Sequence, residues 1–266
     1  MVETFPVKYT SRILKASALL DDTKTLLGYW DGSLSVRKNL QRAKEVNIFG
    51  KASRKRVEDI LTIFRQRYCY DDAVVRALAV LVKGGFPSQA LNQVLYFFSV
   101  QADRLLYDTV TKIFLPHAQN GQNDVYLEEI LKVIKQWVKE GKTTTLWSES
   151  TVLQVARNLL TTLRDFGILQ GSTKKKIAPL YLMVQSFAFI AFYLHSQQNY
   201  GDRLLIHPAW QLFFLSTRSV ERLFFEAHQE KLLAYYAAGS VIRIEFPAKN
   251  LEEYARALTQ RKNQSA

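Results

Sequence analysis

The chain has 266 residues, 48% of them hydrophobic and 23% charged, with 36 Lys and Arg against 24 Asp and Glu for a net charge of +12. That is enough chain for one large or two modest cored domains, and the apolar fraction excludes intrinsic disorder. A single cysteine, Cys69, excludes an intramolecular disulfide framework and any Cys-rich zinc module, while the basic balance favours a polyanionic partner, nucleic acid before anionic lipid.

Glycine and proline are scarce, 11 and 6 residues, and most of the intervals between them read at helical period. The start, Met1 to Arg12, holds Glu3, Pro6 and several polar residues and does not read as a signal peptide, so a cytoplasmic protein is expected. Helices are predicted over 11–28, 35–45, 53–68, 71–83, 88–115 (with a break near Gln101), 124–140, 148–166, 178–196, 208–216, 218–238 and 250–261. Strand signals are few: Ile168-Leu169, Leu180 to Met183 and Ser240 to Phe246. The expected fold is all-α: a compact, helix-dominated globule with a helix-turn-helix, a winged-helix-like element and at most a small β-hairpin. A polar run over 116–123 separates an N-terminal helical domain, 1–116, from a C-terminal one, 124–266, the two packed as one globule. The tail Thr259–Ala266 is polar and is expected to fray.

Charge is concentrated. Between Ser35 and Tyr68 ten cations face Glu45, Glu58 and Asp59, a net +7, and between Lys142 and Lys176 six cations face Glu149 and Asp165, a net +4. In the first segment Ser35 caps a helix with Val36, Leu40 and Ala43 at helical spacing, and Val46–Lys51 interrupts it. Ser53 caps the next helix, whose apolar stripe is Val57, Ile60, Leu61, Phe64 and Tyr68. Lys51, Arg54, Lys55 and Arg56 then crowd a helix start, where acidic residues are electrostatically preferred and where phosphate oxygens are favoured. Arg37, Arg42, Lys51, Ser53, Arg54, Lys55 and Arg56 are the candidate phosphate contacts; the alternative is a plain amphipathic helix pair with a solvated basic face.

In the second segment Ser148 caps a helix with the stripe Val152, Ala156, Leu159, Leu163 and Phe166. Its outer face carries Ser150, Thr151, Gln154, Arg157, Asn158 and Thr161, and Gln, Asn and Arg are the side chains able to pair with base edges. Gly167 ends the helix, Ile168 and Leu169 follow, and Gly171 leads into Lys174, Lys175 and Lys176: a recognition helix followed by a basic hairpin, as in winged helices. A core helix followed by a surface loop is the alternative.

Ile177 to Leu194 is 18 residues without a charge, just long enough to span a bilayer, but Pro179 and Gln185-Ser186 favour a helix buried in the core. No P-loop, dinucleotide-binding, HExxH, CxxC or GxSxG motif occurs. Gly84-Gly85 reads as a helix C-cap, the pairs Asp21-Asp22, Asp71-Asp72 and Glu252-Glu253 as helix starts, and Cys69 as a structural thiol. The expectation is a protein that is no enzyme and needs no cofactor or metal.

Ser33–Leu40 (SLSVRKNL), Asn47–Val57 (NIFGKASRKRV) and Ile63–Tyr68 (IFRQRY) resemble the BrxA family of bacteriophage-exclusion (BREX) defence systems. So do the opening Tyr9–Lys15 (YTSRILK), Thr25–Leu27, Ser150–Val152 (STV), Ala156–Leu160 (ARNLL) and Leu163–Leu169 (LRDFGIL). These stretches cover well under half of the chain, and the GKASR run is the most distinctive. The resemblance implies a helical cytoplasmic protein that binds double-stranded DNA without catalysis, beside a methyltransferase and ATPases of the same system. Two other readings stay open: an RNA-binding helical factor, and a basic scaffold that docks acidic partner proteins.

Overall fold

In a computed structural model, which describes residues 8–15, 17–239 and 241–260, the periodic apolar segments form helices. They are α1 (Leu20–Tyr29), α2 (Val36–Glu45), α3 (Arg54–Tyr68), α4 (Asp72–Lys83), α5 (Ser88–Gln101), α6 (Arg104–Thr109), α7 (Leu115–Gln119), α8 (Leu127–Lys139), α9 (Glu149–Asp165), α10 (Val184–Ser196), α11 (Asp202–Leu205), α12 (Thr217–Gln229) and α13 (Leu251–Gln260). Among the described residues the β-structure is two small antiparallel sheets. β1 (Asp124–Val125), β2 (Leu169–Gln170) and β3 (Lys175–Ile177) pair in the order β1-β3-β2, and β4 (Ala234–Ala238) pairs with β5 (Val241–Glu245). The helix-dominated expectation holds. The readings of the first seven residues and of the tail from 261 onward lie outside the described residues.

α10 is the centre of the molecule. Phe187 to Leu194 are all buried, because the helix packs on α5, α12 and α13. Phe98 meets Tyr193 edge-to-face at 4.9 Å, and Phe187 lies between Trp210 at 4.8 Å and Phe224 at 4.7 Å. Each such aromatic pair adds roughly 0.5–1.5 kcal/mol to what burial provides. The polar pair in its first turn is accounted for. Ser186 donates to the Ala90 carbonyl at 3.1 Å and to Gln93 Oε1 at 2.8 Å, and Gln185 reaches Glu230. No helix of the described residues is long and apolar enough to cross a membrane, and the uncharged stretch from 177 to 194 is half extended chain and half core helix.

Several predicted helix bounds are corrected by tertiary contacts. The helix expected over 11–28 is a 3-10 turn, Ser11–Lys15, followed by α1, because Ala18 and Leu19 turn into the core and Leu19 adopts φ 54°. The helix expected over 124–140 gives its first two residues to β1, which pairs with β3. The helix expected over 178–196 begins only at Val184, since Gln93 pins the preceding chain in an extended path, donating to the Tyr181 carbonyl at 2.7 Å and accepting from the Met183 N–H at 3.0 Å. The helix expected over 208–216 is a 3-10 turn, Pro208–Phe213, closed by Phe214 at φ 57°. The one expected over 218–238 stops at Gln229; the chain reverses at Lys231, φ 57°, and its Ala- and Tyr-rich end pairs with β5 instead. Between α6 and α7 the helix widens into a π turn, Val110–Phe114.

Candidate nucleic-acid interface

α2 and α3 start as their serine caps dictate: Ser35 Oγ and Ser53 Oγ accept from the N–H groups of Lys38 and Arg56, each at 3.4 Å. Between the helices Asn47 and Gly50 adopt φ 46° and 60°, a region that glycine enters without steric cost. The Asn47 carboxamide locks this turn, donating to the Lys51 carbonyl at 2.8 Å and accepting from the Lys51 N–H at 3.2 Å. The whole predicted stripe of α3 is buried. In α2 the seam differs: Asn39 and Ala43 are buried, while Val36 and Leu40 are half-buried. Asn39 earns that place by hydrogen bonding. It accepts from the Asp31 N–H at 2.8 Å and donates to the Asp31 carbonyl at 2.9 Å, fixing the α1–α2 loop.

Four cations of this element are matched by carboxylates, two of which, Asp22 and Asp31, lie outside the sequence window. Lys51 pairs with Asp22 at 2.9 Å and Arg42 with Asp31 at 3.7 Å, the Arg42 guanidinium also lying over the Tyr29 ring. Lys44 pairs with Glu58 at 2.9 Å, and its hydrogen bond and charge hold the Glu58 carboxyl below its usual range. Lys55 pairs with Asp59 at 3.4 Å, and Arg56 donates to the Lys15 carbonyl at 2.7 Å. Arg67 is buried and donates to the Ala18 carbonyl at 3.0 Å. Arg37 and Arg54 are exposed, with no hydrogen bond or ion pair among the described residues.

The second element is a helix–helix–hairpin unit. β1 leads into α8, α8 packs on α9, and β2 and β3 return along the sheet with Leu169 opposite Ile177 and Gln170 opposite Lys176. Ser148 caps α9, accepting from the Thr151 N–H at 3.2 Å, and its hydroxyl joins those of Ser150 and Thr151 at 2.9 Å each. Val152, Ala156, Leu159, Leu163 and Phe166 are buried. On the outer face Ser150, Gln154 and Arg157 are exposed and Thr151, Asn158 and Thr161 half-buried. Gln154 and Arg157 make no side-chain hydrogen bond or ion pair among the described residues. In the hairpin Lys174 is likewise open to solvent, Lys175 folds back onto the Ser172 carbonyl at 2.8 Å, and Lys176 pairs with Asp124 of β1 at 3.2 Å. Gly171 is required here: it adopts φ 88°, and a Cβ would stand 2.1 Å from the Lys174 carbonyl oxygen.

A segment that sequence reading marked only by its family resemblance joins the two elements. The Ser11–Lys15 turn packs against both α3 and α9. Asn158 Nδ2 donates to the Ile13 carbonyl at 3.4 Å, and the Lys15 ammonium lies 3.8 Å from Asp59 of α3. Ahead of the turn Tyr9 bonds by its main chain to Lys142 at 2.8 Å and Thr144 at 2.9 Å, just before α9. Its phenol donates to buried Asp108 at 2.6 Å. Arg104 at 3.0 Å and Lys112 at 2.8 Å complete that site. Burial opposes ionisation of Asp108, but the hydrogen bonds from Lys112, Tyr9 and Arg104 outweigh it and hold the carboxyl below its usual range. No signal in a single sequence marks a short turn as a bridge between helices distant in the chain.

Nothing among the described residues gathers into a metal site, and the Cys69 thiol is pushed up to about 12, first by burial and then by Asp72, which fits a structural thiol. The pKa values of His195 and His207 are both lowered by burial, and the His207 ring caps the Pro208–Phe213 turn.

The BrxA family model matches residues 7–193, a span that contains the Ser11–Lys15 turn, both basic elements and most of α10. A comparison with curated proteins gives no match. The matched span is well over half of the chain and takes in every segment on which the sequence resemblance rested. The chain belongs to the BrxA family, which suggests a component of a bacteriophage-exclusion (BREX) defence system.

Proposed function

We propose that this protein is a non-catalytic, cytoplasmic, double-stranded DNA-binding factor of a BREX system, acting beside that system's methyltransferase and ATPases. In this reading α8, α9 and the β2–β3 hairpin form a winged helix. α9 enters the major groove with Gln154 and Arg157, and Lys174 at the hairpin meets the adjacent backbone. α2 and α3 supply further phosphate contacts through Arg37 and Arg54. The observation that carries the reading is the arrangement of the second element: a helix whose outer face leaves Gln154 and Arg157 open, followed by a hairpin presenting an open lysine, on a sheet ordered β1-β3-β2.

The test is a fluorescence-anisotropy titration against a labelled duplex of random sequence, repeated across a salt series and with an RNA duplex as competitor. Submicromolar binding that weakens steeply with salt, and resists the RNA, is the expected result. No binding at low salt would refute it and leave the basic faces as docking surfaces for proteins. Gln154→Ala is expected to alter preference among duplex sequences by roughly 1 kcal/mol rather than weaken all alike, the signature of base-edge rather than phosphate contact.

A further inference from the structure

We infer that two copies of this chain associate through β4, whose free edge pairs antiparallel with β4 of the second copy to give one four-stranded sheet. The inference does not depend on DNA binding. In the β4–β5 ribbon Tyr235 and Ile244 are buried, while Tyr236 and Val241 stand on the opposite face, 54% and 67% exposed. A two-stranded ribbon is marginal by itself, and an unpaired edge is a template for another strand. The direction of the main chain identifies the open edge. His228 Nδ1 accepts from the Tyr235 N–H at 3.1 Å, so that N–H points away from β5. Ala237, two residues on, turns the same way, and its N–H and C=O have no partner among the described residues.

Natural sheets blunt such an edge with charge, proline or a bulge. β4 has none of these: it reads Ala-Tyr-Tyr-Ala-Ala and pairs with β5 in unbroken register. β5 is the contrast. It carries Arg243 and Glu245, and the chain at Gly201 lies so near that a Cβ there would stand 2.9 Å from the Ile242 carbonyl oxygen. Pairing through β4 therefore closes at two copies instead of continuing into a fibre. The open edge also fits itself. With a two-fold axis beside Ala237, the two Ala237 residues exchange N–H···O=C bonds, and Tyr236 of each copy faces Ala238 of the other, a ring against a methyl group. Phe225 of α12 lines the same groove as Tyr236 and Val241 and adds apolar surface to the contact. Arg243 and Glu245 pair with each other, so the joined edges bring no like charges together.

The experiment is sedimentation equilibrium of the full, nuclease-treated chain across protein concentrations up to about 100 μM, where an interface of ordinary size is populated. A monomer–dimer equilibrium is expected, and a chain that stays monomeric throughout would overturn the inference. Tyr236→Lys sets a charge on the edge without touching the β4–β5 ladder and is expected to weaken the dimer about tenfold or more, with circular dichroism to verify its fold. A dimer indifferent to that change would place the contact elsewhere and overturn the inference. Ala237→Cys is expected to cross-link two copies in oxidised glutathione, because paired strands set opposite Cα atoms about 5.5 Å apart, within disulfide reach. Arg243→Cys, on the blocked strand, is expected to give no cross-link. Equal cross-linking at the two positions, or none at Ala237→Cys, would contradict the β4 pairing.

Discussion

The two basic segments handle their charge differently. Around α2 and α3, Arg42, Lys44, Lys51 and Lys55 each face a carboxylate, two of these (Asp22 and Asp31) supplied from α1 and the loop after it. Arg56 and Arg67 are spent on carbonyls of the N-terminal segment. In the α9 unit the matched cations sit at its margins, Lys142 with Glu140, Arg164 with Asp165 and Lys176 with Asp124, while Arg157 and Lys174 stay open around the polar face. A net charge summed over a sequence window is therefore a poor measure of charge available to a ligand. The first segment has the larger sum, spends six of its ten cations on its own fold and leaves Arg37, Lys38, Arg54 and Arg65 exposed. Exposed pairs of this kind are worth only about 0–1 kcal/mol, so phosphate can displace them, but each displacement frees a carboxylate that repels the ligand.

The largest expected effect falls on the buried carboxylate that anchors the chain just ahead of the Ser11–Lys15 turn. Asp108→Asn leaves Arg104 and Lys112 without their carboxylate, at an expected cost of about 2–3 kcal/mol in urea denaturation. Because the folded carboxyl is held below its ordinary value of 3.8, its contribution is full above that value and is lost as pH falls through the folded pKa. The stability gap between the unaltered protein and the variant should therefore close on acidification; a gap that widened would contradict the account. Next in size is Gly171→Ala, which forces a Cβ against the Lys174 carbonyl at a left-handed φ. It should cost about 1 kcal/mol or more in stability and weaken DNA binding by moving Lys174, while the α2–α3 region stays intact by hydrogen exchange. Smallest is Lys51→Ala, which removes a half-exposed pair with Asp22 and should shift stability by less than about 0.5 kcal/mol. A larger loss there would mean that the first region's charges are structural beyond what their exposure implies.

What could be read from the sequence was what periodicity and caps encode. Ser53 and Ser148 start α3 and α9, their buried stripes follow the predicted positions, and Gly167 ends α9 at φ 82° before β2. Features set by partners distant in the chain were hidden. β1 is two residues long and exists only because β3 pairs with it. The Ala-Tyr-Tyr-Ala-Ala stretch of β4 fits a helix equally well until β5 lies beside it. The burial of Asn39 in α2 depends on the folded α1–α2 loop, which supplies its hydrogen-bond partners. The candidate site was legible in the same way. The residue types and faces were evident, but which cations remain free depended on Asp22, Asp31 and the Lys15 carbonyl.

The most direct test of this unequal division is the slope of log affinity against log salt for the unaltered protein and two double variants on one duplex. Arg157→Glu with Lys174→Glu should lower the slope by about one, the phosphate contact of Lys174 counting about 0.9, whereas Lys51→Ala with Lys55→Ala should change it by well under that. Equal losses from both pairs, or a greater loss from the second, would contradict the account.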